Sequence, residues 1–425
     1  MLRKTLALTI SALTLVGLAQ PVGAATSCKF TPLTKAGELG RFYGRIIDAD
    51  SGVQLAAVRP DEATPSASVL KVLTGIAALV QLPAGYTVQT KVFTVEGQPD
   101  AIVLQGAGDP TLSRLLPPHY TTYPKPARLP RLAAAVAAKL PTGTLLKHIY
   151  VDSSYFSGPT YNPAWKASDR TNGYISPITA LQIDGARTNP DLTDKYYSGV
   201  RVSDPVGQAA RSFKASLGAV GARAKIETMP KGLGALTELA AVTSSPVESW
   251  VDHGMKFSDN TEVEFIARHV SKWLGFGTSH KSIQPAITQT LNQLGVSTKG
   301  LAMKDAAGLA QDDRVTARLI TDALRAADVY SGSIGDFSTF LANSSSAGTL
   351  STRFKGANKL PAGVVQAKTG FIPGLYSLAG YVTAADGHRL VFAFFARGTG
   401  VGGGTRTKLD SLVVRAHVCG ARLTN

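Results

Sequence analysis

The sequence predicts an α+β protein: an antiparallel sheet flanked by helices and interrupted by a long β-rich insert. Three observations lead there. Strand-like segments sit near both ends of the chain, at Gly44–Val58 and again at Tyr376–Ala384 and Leu390–Ala396. A helix-like run that is apolar on nearly every face follows the first of them. Between the two ends, 190 residues separate Ser68 from Ser258, too many for one helical layer. Strands contributed by both termini, with helices between, are the pattern of a sheet whose faces are covered.

The elements follow in order. Met1-Leu2-Arg3-Lys4, an apolar run from about Leu6 to Ala19, and Val22-Gly23-Ala24 read as a secretory signal peptide over residues 1–24. The run is shorter than the roughly 20 residues of a membrane span, so cleavage is favoured over an uncleaved anchor, and no later segment is apolar enough to span. Gly44–Val58 reads as a β-hairpin around Asp50-Ser51-Gly52. A helix begins at Ser68 and carries Val69, Leu70, Val72, Leu73, Ile76 and Leu79, a buried pattern. Frequent Gly, Pro and Asn over residues 91–240 mark the β-rich insert, leaving 25–90 and 241–425 as one discontinuous domain. A helix over Thr261–Val270 is predicted, with Ser258 and Asn260 as its caps and Asp259 and Glu264 as structural residues. The second hairpin turns at Asp386-Gly387. The glycine-rich stretch Gly398–Gly404 fits no phosphate-binding spacing and reads as a loop, and Leu409–Val418 reads as a closing helix.

Three motifs carry chemistry: Ser68-Val69-Leu70-Lys71, Ser258-Asp259-Asn260 and Lys368-Thr369-Gly370. Each is weak alone. Their order and setting together form the signature of serine acyl-transfer enzymes that act on penicillin and on D-Ala-D-Ala peptides. A serine hydroxyl becomes a nucleophile when a neighbouring base takes its proton. Residues three apart on a helix share a face, which places Lys71 beside Ser68. Burial and a second cation, Lys368, are expected to lower the Lys71 pKa so that its amine is a base. Ser68, Lys71, Ser258 and Lys368 are expected to form one hydrogen-bonded group, with Ser258 relaying a proton to the leaving nitrogen and Asn260 holding Lys71 and the substrate backbone. Lys368 and Thr369 are assigned to the substrate's terminal carboxylate. Gly370 allows close approach of the substrate strand. The N–H groups of Ser68 and Phe371 are assigned to the developing oxyanion.

Composition narrows the classes. The net charge is +15, and +13 without Arg3 and Lys4, but Lys and Arg are scattered and not interleaved with aromatics, which argues against nucleic acid. The charge suits association with anionic polymers of a cell wall, or serves solubility alone. Seven dispersed histidines and the absence of HExxH or Cys/His clusters suggest no metal, and no cofactor is expected. The two cysteines, Cys28 and Cys419, stand near the two ends of an exported chain. A disulfide is the favoured reading. The rival is lipidation of Cys28, against which Ala25-Thr26-Ser27 is a poor lipid-attachment sequence.

Together with Gly106–Leu112 (GAGDPTL), Val151–Phe156 (VDSSYF) and Ser377–Val382 after the KTG triplet, these motifs make the chain resemble the class C, type-4 penicillin-binding proteins, a D-alanyl-D-alanine carboxypeptidase/endopeptidase family. The resemblance spans nearly all of the mature chain. It implies a serine β-lactamase/transpeptidase-like domain with an all-helical subdomain, inserts between the first two motifs, a peptidoglycan stem peptide as substrate and β-lactams as acylating inhibitors. It also implies that Asp152 holds the free amine of the substrate's diamino acid and that Phe156 lines that pocket; the bland alternative is that both are strand-end residues. Two positions depart from the family. Gln311 replaces the arginine expected at the end of Asp305–Gln311, which favours an amidated diaminopimelate or a lysine over a free diaminopimelate carboxylate. Phe371 replaces a small hydroxyl residue after KTG, removing a contact to the substrate carboxylate. The leading expectation is an exported, periplasmic or wall-associated DD-peptidase. A β-lactamase and a non-catalytic wall-binding protein are the competing readings. The first lacks an ExxLN-like element between Ser258 and Lys368, and the intact motif set argues against the second.

Overall fold

The computed structural model describes residues 27–425 apart from 36, 120, 191–198, 331–335, 345 and 347; the predicted signal peptide lies outside the described residues. Two strands, β1 (Arg41–Asp48) and β2 (Gln54–Val58), form the first hairpin. Its turn is held by the Asp48 carboxylate, which accepts from the Ser51 N–H at 2.8 Å. A 3-10 turn over Ala67–Leu70 then feeds helix α1 (Lys71–Gln81). The middle of the chain contributes β3 (Gln89–Val95), β4 (Gln98–Gln105), α2 (Leu129–Lys139), β5 (His148–Asp152), α3 (Ala167–Thr171), α4 (Pro205–Ser216), β6 (Lys225–Thr228) and β7 (Leu236–Thr243). Helices α5 (Val247–Lys256), α6 (Asn260–Trp273), α7 (Ile283–Gln293) and α8 (Ala317–Val329) follow. The chain closes with β8 (Ala342–Asn343), β9 (Val365–Ile372), β10 (Leu375–Thr383), β11 (Arg389–Arg397) and α9 (Thr405–Cys419).

The main sheet runs β2-β1-β11-β10-β9-β8 and is antiparallel throughout. Strand alternation explains its composition. Tyr43, Ile47, Val391, Ala393 and Phe395 face a helical layer of α1, α5, α6, α7 and α8. Phe42, Ile46, Leu390, Phe392 and Phe394 face α9. With both faces covered, β11 reads as an unbroken apolar run. Each fully buried Phe or Leu there contributes roughly 1.5–3 kcal/mol. Helix α1 lies inside the helical layer, and its residues from Lys71 to Leu79 are buried. The second sheet, β6-β5-β4-β3-β7, uses residues 89–243; β4, β5 and β6 are parallel, and α2 and α4 pack on one face.

Cys28 and Cys419 form a disulfide with a Cα–Cα distance of 5.6 Å, joining the N-terminal segment to the end of α9. Among the described residues, no helix is long and apolar enough to cross a membrane.

Candidate active site

Ser68 sits in the 3-10 turn that opens α1, with Ala67 before it at φ +46°. Two glycines press on this turn. A Cβ on Gly308 would collide with the Ala67 carbonyl oxygen, and one on Gly370 would stand 3.0 Å from the Ser68 nitrogen and strike Ser377 Oγ. Strand β9 therefore reaches the nucleophile only because residue 370 has no side chain, which also puts Phe371 next to Ser68 at the cavity wall.

One turn on, Lys71 is fully buried, and its Nζ donates to Ser68 Oγ at 2.8 Å, Asn260 Oδ1 at 2.6 Å and the Ala307 carbonyl at 2.6 Å. Burial lowers its pKa from the ordinary 10.5 to about 8, against the upward pull of Asp305, Asp259 and Glu264. Lys368 is also fully buried. It donates to Ser258 Oγ and to the Thr369 carbonyl, each at 2.8 Å. Burial, then the Lys71 charge, holds its pKa well below the usual lysine range. The hydrogen bonds thus fall into two pairs, Ser68–Lys71 and Ser258–Lys368, in place of the single group expected. The causes also differ from the expectation. Burial is the dominant cause of the Lys71 shift, and the Lys71 charge acts on Lys368 in place of the reverse.

The SDN segment is built differently from its sequence reading. Asp259, not Ser258 or Asn260, caps α6, accepting from the Glu262 N–H at 3.0 Å. Ser258 adopts φ +59°, a conformation costly for a non-glycine residue and retained when the surroundings enforce it. Asp259 supplies that enforcement. It is buried, ion-paired with Arg187 at 3.2 Å and bonded to the Tyr123 hydroxyl at 3.4 Å, so residues of the middle segment brace the motif. Arg187 and Arg201 hold its carboxyl down to about 2. The Ser258 and Asn260 side chains are thereby left to face the site. The Asn260 amide bridges Lys71 and the Tyr174 carbonyl, the latter at 2.9 Å.

A further layer of buried carboxyls supports Lys71. Glu264 is fully buried, its carboxyl pushed up to about 8 by burial, and it accepts from the N–H groups of Ala306 (2.6 Å) and Ala307 (3.1 Å). Asp305 accepts from the N–H groups of Ala307, Gly308, Leu309 and Ala310 and from Trp165 Nε1. These two carboxyls shape the turn that aims the Ala307 carbonyl at Lys71. The spacing Asp305-x-x-Gly308 was the available signal, since aspartate readily accepts from N–H groups a few residues on.

Two cavities flank Ser68. One, of about 530 Å³, includes Asp169, Tyr174, Asn260, Gln311 and Asp312 on its walls. The other, about 500 Å³, is bounded by Ser258, Thr369, Gly370, Tyr376, Arg353 and Arg406. Gln311, Thr369, Gly370 and Phe371 thus reach the site. Asp152 and Phe156 are not among the residues lining either cavity. Asp152 is held by Gln105 Nε2 and the Ser154 N–H, both at 2.8 Å, and Phe156 packs on Phe265 and His269. The carboxylates on the first cavity are Asp169 and Asp312, which sequence reasoning missed. Among the described residues, no group of three or more His, Cys, Asp or Glu is placed to hold a metal ion.

The profile of the D-Ala-D-Ala carboxypeptidase 3 (S13) family matches residues 31–200 and 190–417. The chain belongs to this family. The S13 assignment agrees with its relatives. It is 34% identical over 389 residues to carboxypeptidase DacB of Mycolicibacterium smegmatis, covering 90% of this chain and 82% of that protein. A carboxypeptidase of Mycobacterium tuberculosis is 33% identical over 406 residues, covering 95% and 86%. In fold, this S13 hydrolase is similar to penicillin-binding protein 4 (dacB) of Haemophilus influenzae, with a TM-score of 0.76, 19% identity and coverage of 93% and 99% of the two chains. The α+β architecture expected from the sequence, an antiparallel sheet flanked by helices, is the one observed, but the middle segment is a mixed sheet with helices α2, α3 and α4 and not simply β-rich.

Proposed function

We propose that this S13 hydrolase is an exported serine DD-peptidase that removes the terminal D-Ala of peptidoglycan stem peptides through an acyl-enzyme on Ser68. The observation that carries the reading is the buried Lys71 amine 2.8 Å from Ser68 Oγ, with a pKa near 8. In its neutral form the amine accepts the Ser68 proton as Oγ attacks the scissile carbonyl. The N–H groups of Ser68 and Phe371 receive the oxyanion. As the C–N bond breaks, the proton that Lys71 took from Ser68 is handed on through the Ser258 hydroxyl, held by Lys368, to the leaving nitrogen; D-Ala departs and Lys71 is neutral again. Water then attacks the ester, releasing the shortened stem and restoring the Ser68 hydroxyl. The same steps on a cross-link are endopeptidase cleavage, and on a β-lactam they leave a ring-opened adduct, because the leaving nitrogen stays tethered. Residues 25–90 with 241–425 form the catalytic domain in this reading, and 91–240 the insert that braces Asp259. The +13 charge of the mature chain suits an anionic wall.

The test is release of D-Ala from a stem pentapeptide. Wild type is expected to release it and Ser68→Ala to lose activity by a factor of at least about 10³, as for loss of a covalent nucleophile. Equal turnover by the two would refute the proposal.

A further inference from the structure

The cavity on the KTG side raises a question of charge. The scissile peptide ends in a carboxylate, and Lys368 is the obvious cation for it. Yet the Lys368 amine is fully buried, donates to Ser258 Oγ and the Thr369 carbonyl, and is held toward its neutral form. Its bonds tie it to Ser258 and Thr369, and it is not among the residues that line the cavity. Two cationic side chains, Arg353 and Arg406, line this cavity, and among the described residues no carboxylate does. Arg353 is committed: buried, it grips Asp410 with Nε at 3.0 Å from both carboxylate oxygens and Nη2 at 2.6 Å. Its Nη2 also donates to the Arg406 carbonyl at 3.2 Å, which fixes the first turn of α9 against the cavity. The Arg406 side chain is exposed and has no hydrogen-bond, ion-pair or ring partner among the described residues.

We propose that Arg406 is a specificity-determining residue that, with the Thr369 hydroxyl, binds the substrate's terminal carboxylate in the cavity beside Ser68. This rests on the DD-peptidase reading above. Arg353 is a positioning residue that acts through the α9 turn. The assignment also answers the loss of a hydroxyl at Phe371: its ring, 4.8 Å from that of Tyr376, supplies an apolar wall where a hydrogen-bonding side chain is missing, and a guanidinium replaces the lost contact. Guanidinium–carboxylate pairs are frequently bidentate, about twice as strong as neutral hydrogen bonds, and selective for a planar anion.

The experiment compares acylation of the full disulfide-bonded protein by benzylpenicillin and by its methyl ester, which lacks the negative charge. The readout is the ratio of the two second-order rates, followed by intact mass. Arg406→Ala is expected to slow benzylpenicillin about 10- to 100-fold, to change the ester less than about 3-fold, and so to collapse the ratio; Arg406→Lys restores part of it. A ratio unchanged in Arg406→Ala, whether both rates fall or neither does, overturns the assignment while leaving the acyl-enzyme intact. A wild type that neither drug acylates overturns the DD-peptidase reading itself, and the Arg406 assignment with it. Because Arg406 is exposed, the melting temperature of Arg406→Ala should match wild type, which separates binding from folding.

Discussion

Acylation of Ser68 should follow the protonation of Lys71, and the structure sets where. Only the neutral amine can take the hydroxyl proton. With the pKa displaced from the ordinary 10.5 to about 8, roughly 1% of the amine is neutral at pH 6, 10% at pH 7 and half at pH 8. The second-order rate of benzylpenicillin acylation should therefore rise about tenfold from pH 6 to 7 and about fivefold from pH 7 to 8, about 50-fold in all, and level off above 9. A solvated lysine would keep rising through pH 10. The same displacement has a stability counterpart. Between pH 8 and 10.5 the unfolded chain holds the Lys71 proton and the folded chain does not, so the folded state gains stability as pH rises through that window. Relative to Lys71→Met, which has no proton to lose, the gain is on the order of 3 kcal/mol. The assays are stopped-flow or gel-based acylation across pH 5.5–10 and urea unfolding of both proteins at pH 7.5 and 10.5. A rate that is flat from pH 6 to 9, or one still climbing past pH 10, would refute burial as the source of the base.

Other expectations follow from the packing. Gly308→Ala would drive a methyl into the Ala67 carbonyl oxygen at a backbone φ of +76°, and should cut acylation about 100-fold through displacement of the Ser68 turn, with secondary structure retained by circular dichroism. Asp152→Asn should leave stem-peptide preference unchanged, since that carboxylate is spent on Gln105 and Ser154, whereas Gln311→Arg, on the cavity wall, should raise turnover of a free diaminopimelate stem relative to an amidated or lysine one. Replacing Cys28 and Cys419 by Ser should lower stability by roughly 2–5 kcal/mol and the melting temperature with it, while acylation at 25 °C persists.

How much of this was legible in the sequence depended on the range of the interaction. Ser68 and Lys71 are three residues apart at a helix start, so helix geometry alone paired them. The second hairpin and the closing helix were equally local: Asp386-Gly387 marks the turn, and the period of α9 was visible from Leu409 onward although its first turn, with Arg406, was not. The cap of α6 was misassigned because Ser, Asp and Asn are all good cap residues. Only the contact of Asp259 with Arg187, 72 residues upstream, decides among them. The role of Glu264 depends on a loop 42 residues downstream, and that of Asp152 on whether its strand end opens into a cavity or onto Gln105. Arg406 was hidden for the opposite reason. Its proposed role rests on Arg353 being engaged by Asp410 and Lys368 by Ser258 and Thr369, and no local pattern records that.

The most direct measurement is the intact mass of the purified protein after incubation with benzylpenicillin, for wild type and Ser68→Ala side by side. A single penicilloyl adduct on wild type, mapped to the Ser68 peptide and missing from the variant, is the predicted result. Unmodified wild type, or an adduct that survives the substitution, would contradict the account.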